Sequence, residues 1–324
     1  MEVRSRLNQR DMSQILHPDL PHFVAFGEAL TDLIRIGPDR WRSACGGSPW
    51  NVAVAMSTLG QLSAFGGAIS QDHFGAEIWQ CSQEANLDMR FIQQLPRPPL
   101  LAVVHEVDPP RYFFIGQDSA DLHFRPEGLP MGWARSVRWA HFGSLGLVRE
   151  PLAGRLLALA QALKAEGRLI SYDPNFRAPP MDASYDDTLE QMCRLADVIK
   201  VSDEDLRGLF RLPDHRSGLA QIAAWNPGAW LLLTRGEAGA TLYHGVEECS
   251  GLPPRVEVVD TVGAGDSAMA GLLDSLMRNA GASAEHHLRA ALAAGAAACT
   301  APGFSPPKPE LVAALADGVE IVKG

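Results

Sequence analysis

Short apolar runs alternate with longer segments of helical period along most of the chain. HFVAFG (22–27), RLISYD (168–173) and ADVIKVS (196–202) have the length and the apolar content of buried strands. Between such runs, residues 152–165 repeat apolar positions at the spacing of a helix face. Strands that alternate with helices in this way are typical of a parallel sheet with crossover helices. The pattern therefore predicts an α/β fold with a mainly parallel central sheet.

The first half of the chain also contains extra β-rich runs. DLIRIG (32–37) and RWRSA (40–44) follow the first predicted strand. Further on, LLAVVHEV (100–107) and RYFFI (111–115) flank DPP, which is a turn signal and predicts a hairpin. Residues 1–21 carry several charges and no continuous apolar core, so we expect a flexible extension and no signal peptide there.

Composition narrows the partners and the compartment. The formal net charge of −10 offers no electrostatic attraction to a nucleic acid. The chain contains no run of about 18 apolar residues, so no membrane-spanning helix is predicted. The five cysteines are scattered without a CxxC pair, which argues against a disulfide framework and fits a reducing cytoplasm. We therefore expect a cytoplasmic protein that binds neither nucleic acid nor membrane.

The stretch DTVGAGDSAMAG (260–271) combines a glycine turn with a carboxylate. RVEVV (255–259) before it predicts a β-branched strand, and the apolar residues after it fall on one helix face: Met269, Leu272, Leu273, Leu276 and Met277. Gly263, Ala264 and Gly265 are then expected at a strand-to-helix turn. Free N–H groups and the positive end of the helix dipole favour an anion at such a turn.

Several interpretations of this turn compete. The spacing of Gly263, Gly265 and Ala268 superficially matches the GxGxxG/A motif of dinucleotide-binding folds. However, Asp266 occupies a position that the pyrophosphate would contact, and no acidic residue follows at a strand end about 20 residues on. A Walker A loop is excluded because no GK[ST] occurs in the chain. Asp266 is otherwise either a plain helix cap or a catalytic base that orients a hydroxyl beside a phosphate held by the glycine turn.

Two segments of the chain resemble the two sequence signatures of the ribokinase-type, or PfkB, carbohydrate kinases. DTVGAGD (260–266) is similar to the C-terminal signature of that family, and GGSPWNVAVAMSTLG (46–60) to the N-terminal one. The resemblance implies a Rossmann-like three-layer α/β core over residues 22–324. It also implies a small β-sheet lid formed from about 31–43 and 100–116.

The resemblance assigns roles residue by residue. It implies that Asp266 is the catalytic base and that the 263–265 turn is the anion hole. The residues that it implies for the sugar are Asp32, Gly46, Gly47, Asn51, Arg111 and Arg177, and those for ATP are Thr234, Gly236, Gly263 and Gly265. For Arg111, a solvated charge on the lid is the competing interpretation. Asp173 is either a second carboxylate or an ordinary turn starter.

The metal positions depart from the family pattern. In KVSDEDL (200–206), Ser202 stands for the asparagine and Asp205 for the glutamate of the family's NxxE motif, and Glu204 is adjacent. We expect Glu204 or Asp205 to organise Mg²⁺ through water. Asp260, with the backbone near Gly303, matches positions that hold a monovalent cation such as K⁺ in some members of the family.

The implied activity is an ATP-dependent sugar kinase that phosphorylates a primary hydroxyl. Several segments, GEALTDLI (27–34) and YDPNFR (172–177) among them, look like the fructokinase branch. 2-Keto-3-deoxygluconate, ribose and a nucleoside remain alternative acceptors, and a sugar-binding sensor on the same fold is the non-enzymatic alternative. The resemblance further implies a homodimer that forms through the lid.

Overall fold

A computed structural model describes residues 20–107, 110–178 and 181–322. The extension expected at 1–21 therefore lies almost entirely outside the described residues, and so does most of the DPP turn at 108–110.

The main sheet has ten strands in the order β14-β13-β12-β11-β10-β9-β8-β1-β4-β5. Neighbouring strands from β11 to β5 pair in parallel, and β12, β13 and β14 extend the sheet in antiparallel fashion. The predicted α/β fold with a mainly parallel sheet is confirmed. The strands are β1 Phe23–Phe26, β4 Ser63–Ser70, β5 Ile92–Leu95, β8 Trp139–Gly143, β9 Leu169–Asp173, β10 Val198–Ser202, β11 Trp230–Thr234, β12 Ala240–His244, β13 Glu247–Leu252 and β14 Glu320–Val322.

A separate small sheet has the order β3-β2-β6-β7. Its strands are β2 Leu30–Gly37, β3 Arg40–Gly46, β6 Leu101–Val107 and β7 Pro110–Ile115. Strands β6 and β7 are antiparallel, as the predicted hairpin requires. This sheet contains both of the β-rich segments that the sequence placed outside the βα pattern.

Two layers of helices cover the main sheet. The helices are α1 Ser48–Thr58, α2 His73–Glu84, α3 Trp133–Ser136, α4 Leu152–Ala165, α5 Asp186–Leu195, α6 Asp203–Phe210, α7 His215–Trp225, α8 Ala264–Arg278, α9 Ala284–Ala298 and α10 Pro309–Ala316. Val24 and Phe26 of β1 belong to one hydrophobic core together with residues of α4 to α7, whereas Phe23 and Ala25 belong to a second core together with residues of α1, α8 and α9. Alternate residues of a strand point to opposite faces, so β1 supplies both cores.

One predicted strand is wrong. Residues 255–259 pair with no strand; the backbone N–H of Val259 donates instead to the Cys299 carbonyl at 2.9 Å. Val258 and Val259 are 61% and 54% exposed. The segment cannot pair with β13, the strand that precedes it in the chain, because β13 is already paired on both sides, with β12 and β14. The 263–265 turn therefore joins a loop, not a strand, to α8.

Candidate active site

Polar side chains collect at the carboxyl ends of the parallel strands. Such ends meet along one edge of an open α/β sheet, which is where these folds bind ligands. The groups at or just after the strand ends are Glu28, Ser144, Asp173, Ser202 and Thr234. The N-termini of α1 and α8 add the diglycine and the GAGD residues to this cluster.

Asp266 joins the two sequence signatures. It lies in the first turn of α8 and is 7% exposed. Its Oδ1 accepts a hydrogen bond from Ser48 Oγ at 2.6 Å, and its Oδ2 accepts one from Asn51 Nδ2 at 2.7 Å. Both donors belong to α1, more than 200 positions away in the chain. Asp266 does not cap its own helix through its side chain, so the plain-cap interpretation fails.

The Asn51 side chain has one polar atom without a hydrogen-bond partner among the described residues. Asn51 is buried, and the atom is its Oδ1. A buried acceptor without a donor is costly unless a ligand or water supplies one. Asn51 therefore offers an acceptor directly beside the carboxylate that its Nδ2 contacts.

Gly263 begins the turn in the left-handed region, with φ of 77°. A β-carbon at this position would also overlap the ring of Phe304. Phe304 packs edge-on against Trp50, with ring centroids 6.1 Å apart, and Trp50 is buried and donates its indole N–H to Ser82. The 263–265 turn is thus held against the core by the rings of Phe304 and Trp50.

The diglycine allows two backbone segments to approach closely. Gly47 has φ of 108°, and a β-carbon there would lie 2.6 Å from the Glu28 carbonyl oxygen. A β-carbon on Gly46 would overlap the Asp32 carboxylate. At position 47, only glycine accepts both the positive φ and the short distance to the Glu28 carbonyl. The pair therefore brings β2 and Asp32 next to the start of α1.

Asp32 and Arg177, from distant parts of the chain, influence each other through their charges. Burial raises the pKa of Asp32 to about 6, and the charge of Arg177 opposes the rise. Arg177 is half-buried and donates to the carbonyl of Phe176 at 2.8 Å, which fixes its guanidinium in the loop after β9. Two of the expected sugar residues thus share one electrostatic environment.

Lys200 is a charged residue of the site that sequence reasoning missed. Its Nζ donates to Asp173 Oδ2 at 2.8 Å, and both side chains are buried. A β-carbon on Gly265 would lie 3.0 Å from Lys200 Nζ, so the ammonium lies against the 263–265 turn. Burial lowers the pKa of Lys200, but Asp173, Asp205 and Asp266 outweigh it and raise the value to about 12. The sequence feature that could have identified Lys200 is the presence of a lysine inside an otherwise apolar predicted strand.

Asp173 starts a turn and also pairs with a buried lysine. Oδ1 accepts the backbone N–H of Asn175 at 3.0 Å, as in a turn starter, while Oδ2 pairs with Lys200. Burial raises the pKa of Asp173 to about 6, in spite of the lysine.

Glu28 is a second group that the sequence did not single out. It is 1% exposed and its Oε2 accepts the Gly146 backbone N–H at 2.8 Å. Burial raises the pKa of Glu28 to about 7, against a hydrogen bond from Ser144. The acid therefore holds the end of β1 against the turn after β8.

Two expected contacts lie towards the surface. Thr234 ends β11 beside Ser202 of β10, and Gly236 follows it in an exposed turn with φ of 55°. Arg111 is 66% exposed and pairs with Glu106 on the neighbouring strand at 3.3 Å. The structure does not bring Arg111 together with the Asp32 and Asn51 groups, which agrees with its interpretation as a solvated charge.

The expected metal residues make mainly backbone contacts. Asp205 forms a capping box with Ser202 at the start of α6 and also accepts the Phe176 N–H at 2.9 Å, while Glu204 is exposed. Asp260 accepts the backbone N–H of Gly303 at 2.8 Å, so these two positions are adjacent as expected. Within the described ranges, no cluster of three or more His, Cys, Asp or Glu is suited to a metal ion.

No helix among the described residues has the length and apolar character to cross a membrane.

Comparisons with known proteins agree with this arrangement. The profile of the pfkB family of carbohydrate kinases matches residues 21–311. A fructokinase of Klebsiella pneumoniae is 35% identical over 257 residues, covering 77% of this chain and 82% of its own. The probable fructokinase-2 of Arabidopsis thaliana is 33% identical over 312 residues, covering 88% and 92%.

Solved structures show the same fold. Fructokinase from Xylella fastidiosa with bound ATP superposes with a TM-score of 0.82 at 27% identity, covering 92% of this chain and 99% of its own. Fructokinase from Vibrio cholerae, bound to fructose, ADP and calcium, gives a TM-score of 0.79 at 26% identity, with the same coverage. The described fold, the joined signatures and the family match over most of the chain lead to one conclusion: this chain belongs to the pfkB family of carbohydrate kinases.

Proposed function

We propose that the protein transfers the γ-phosphoryl group of ATP to a primary hydroxyl of fructose. The observation that carries this proposal is Asp266, which is buried at the N-terminus of α8 and held by Ser48 and Asn51 of the diglycine helix. Relatives named fructokinase, at 33–35% identity over most of the chain, support fructose as the acceptor.

Asn51 places the acceptor hydroxyl next to the base. Its Nδ2 donates to Asp266, and its free Oδ1 is an acceptor for a sugar hydroxyl. A hydroxyl bound there lies beside the Asp266 carboxylate. During transfer, the hydroxyl oxygen forms a bond to the γ-phosphorus as the bond to the β–γ bridging oxygen breaks, and the hydroxyl proton passes to Asp266.

The turn at 263–265 is the anion hole for the transferred group. The turn forms the N-terminal end of α8, with positive φ at Gly263, and there the first N–H groups of the helix and its dipole favour negative charge. Lys200 lies against Gly265 and adds a fixed positive charge to that side of the turn. These donors stabilise the charge that develops on the transferring phosphoryl group.

ATP is proposed to extend from this turn to the end of β11, with Thr234 and Gly236 as contacts. When bound with ATP, Mg²⁺ would supply positive charge that balances the phosphates. Asp205 fits a role through water, because each of its oxygens accepts one backbone N–H and retains a second lone pair. Glu204 is the neighbouring exposed carboxylate. Asp260, together with the Gly303 backbone, is the proposed K⁺ position.

The small sheet is proposed to act as a lid over the sugar. Asp32 and Ala102 lie side by side on β2 and β6, and Ala102, Phe114 and Leu100 pack with Leu145 of the main domain. This face of the sheet therefore contacts the edge at which the strand ends collect. A sheet that covers the site excludes water, which would otherwise compete with the sugar for the phosphoryl group.

The charges near Asp32 favour a neutral sugar over a sugar acid. Arg177 is already balanced in part by Asp32, whose carboxylate would repel a carboxylate ligand. Ionised Asp32 is an acceptor for sugar hydroxyls, and Arg177 is a donor. This pairing supports fructose rather than 2-keto-3-deoxygluconate as the acceptor.

Assembly and location are proposed on separate grounds. Trp41, Phe113 and Ile115 are about half exposed and share the face of the small sheet opposite Asp32, which suits a homodimer through the lid. The five cysteines are free thiols, which suits a reducing cytoplasm.

A coupled ADP-release assay tests the activity. Purified protein with MgATP is given fructose, 2-keto-3-deoxygluconate, ribose or adenosine, and kcat/KM is compared among the four acceptors. We expect the highest value for fructose. The highest value for another acceptor would refute the substrate, and sugar binding by calorimetry without ADP release would favour the sensor alternative.

A further inference from the structure

A pair of cysteines joins the small sheet to the main domain, outside the site described above. Cys45 lies on β3 and Cys81 on α2, and Cys45 Sγ–H donates to Cys81 Sγ at 3.3 Å. Both side chains are half-buried, so a small molecule has partial access to the sulfurs. Cys45 also directly precedes Gly46 of the diglycine.

We propose that Cys45 and Cys81 form a redox-sensitive dithiol that a hydroperoxide oxidises to a disulfide. A disulfide bond is about 2.05 Å long, so the two sulfurs must approach by roughly 1 Å from their present separation. Transient disulfides of this kind are compatible with a reducing compartment, where they serve redox sensing.

The two thiols differ in the way that such chemistry requires. The hydrogen bond from Cys45 lowers the pKa of Cys81 to about 7, although burial and the carboxylates of Glu84 and Glu77 act in the opposite direction. The same contact, together with burial and the charges of Glu77 and Asp32, raises the pKa of Cys45. Cys81 is therefore the attacking thiolate, because the thiolate is the nucleophilic form of cysteine.

Oxidation proceeds in two balanced steps. The Cys81 thiolate attacks one oxygen of the hydroperoxide; an S–O bond forms, the O–O bond breaks, and the leaving alkoxide takes up a proton to become an alcohol. Cys45, as its thiolate, then attacks the Cys81 sulfur. The S–S bond forms, the S–O bond breaks, and the departing hydroxide takes the proton that Cys45 lost and leaves as water. The two thiols lose two electrons, and the peroxide gains them.

The disulfide acts on the sugar side of the site. Cys45 is paired with Thr31, and the next residues towards the strand interior, Ala44 and Asp32, are also paired. A shift of β3 towards α2 moves Gly46 and with it the contact to Asp32. A misplacement of about 1 Å costs up to about 10²-fold in rate. This consequence rests on the proposed function, in which Asp32 binds the sugar.

The chemical part of the proposal is tested without any activity assay. The reduced protein is treated with tert-butyl hydroperoxide, digested without reductant and analysed by mass spectrometry. We expect a peptide pair linked through Cys45 and Cys81 that dithiothreitol separates. Cys81 converted to sulfinic acid without a cross-link, or cross-links formed at random among the five cysteines, would overturn the proposal.

The kinetic part uses single substitutions. In the wild-type protein, we expect peroxide to lower kcat/KM for fructose by about ten- to a hundredfold, with recovery after dithiothreitol. Cys45→Ser and Cys81→Ser are expected to resist this loss, whereas Cys249→Ser, which changes another half-buried thiol, behaves as wild type. A disulfide that leaves kcat/KM unchanged would refute the link to the sugar site. A reduced protein that releases no ADP would instead count against the proposed function and leave the cross-link result intact.

Discussion

Asparagine at position 266 separates the chemical role of Asp266 from its structural role. The substitution keeps the size and planarity of the side chain and removes its ability to take up a proton. One oxygen remains to accept from Asn51 Nδ2, and the new amide donates to Ser48 Oγ, since a hydroxyl accepts as well as it donates. We therefore expect the free energy of unfolding to change by about 1 kcal/mol or less.

The expected kinetic effect is much larger. Loss of a general base lowers kcat by about 10² to 10⁴, which corresponds to roughly 3 to 5 kcal/mol in the activation free energy. The KM for fructose should change little, because Asn51 and Asp32 still bind the sugar in the ground state. The assay is steady-state ADP release for wild type and Asp266→Asn, with urea denaturation of both proteins for stability.

A matched control distinguishes this result from a general effect of the amide. The exposed Asp214 caps α7 by accepting the Arg216 backbone N–H, and Asn is an equally good capping residue. Asp214→Asn should leave kcat unchanged. If Asp266→Asn lowered kcat by less than about tenfold, or lowered it only in proportion to a loss of folded protein, the assignment of the base would be refuted.

Three further predictions concern buried charges and the anion turn. The pKa of Glu28 is raised to about 7 from 4.5, so its contribution to stability is complete below pH 4.5 and is lost as the pH rises through 7. Between pH 5 and pH 8, the free energy of urea unfolding of the wild type should fall by about 2 to 3 kcal/mol more than that of Glu28→Gln. Equal decreases in the two proteins would contradict this. Lys200→Met leaves Asp173 buried without its partner and should cost about 3 to 5 kcal/mol by the same measurement; adding Asp173→Asn should recover most of it, and additive losses would argue against the pair. Gly263→Ala places a β-carbon against Phe304 at positive φ, so kcat should fall at least tenfold while KM for fructose stays within a few-fold; unchanged kcat would show that the turn does not hold the phosphoryl group.

Local sequence patterns were sufficient for most of the helices and strands and for identifying the GAGD motif. Alternation of apolar runs with helical segments determined the parallel sheet, because a strand buried on both faces must be apolar along its length. The helix after the GAGD turn followed from its own periodicity. Asp266 and the diglycine were identified because their residue types and order carry the family resemblance, and the structure places Asp266 in contact with Ser48 and Asn51 of the helix that follows the diglycine.

Tertiary structure decided which groups share an environment. Residues 255–259 have strand-like composition, but the preceding strand β13 is already paired on both sides, which no local pattern reveals. Asp205 is occupied by backbone N–H groups because α6 begins directly at the end of β10. Lys200 meets Asp173 only because β9 and β10 are neighbours in the sheet.

The cysteine pair shows the same division between sequence and structure. From the sequence, Cys45 and Cys81 are two of five scattered thiols. They come into contact because the small sheet packs against α2. Sequence periodicity reports which face of an element is buried, since that depends on residues three or four positions apart. Contacts between distant residues depend on how whole elements pack, and only the assembled fold specifies them.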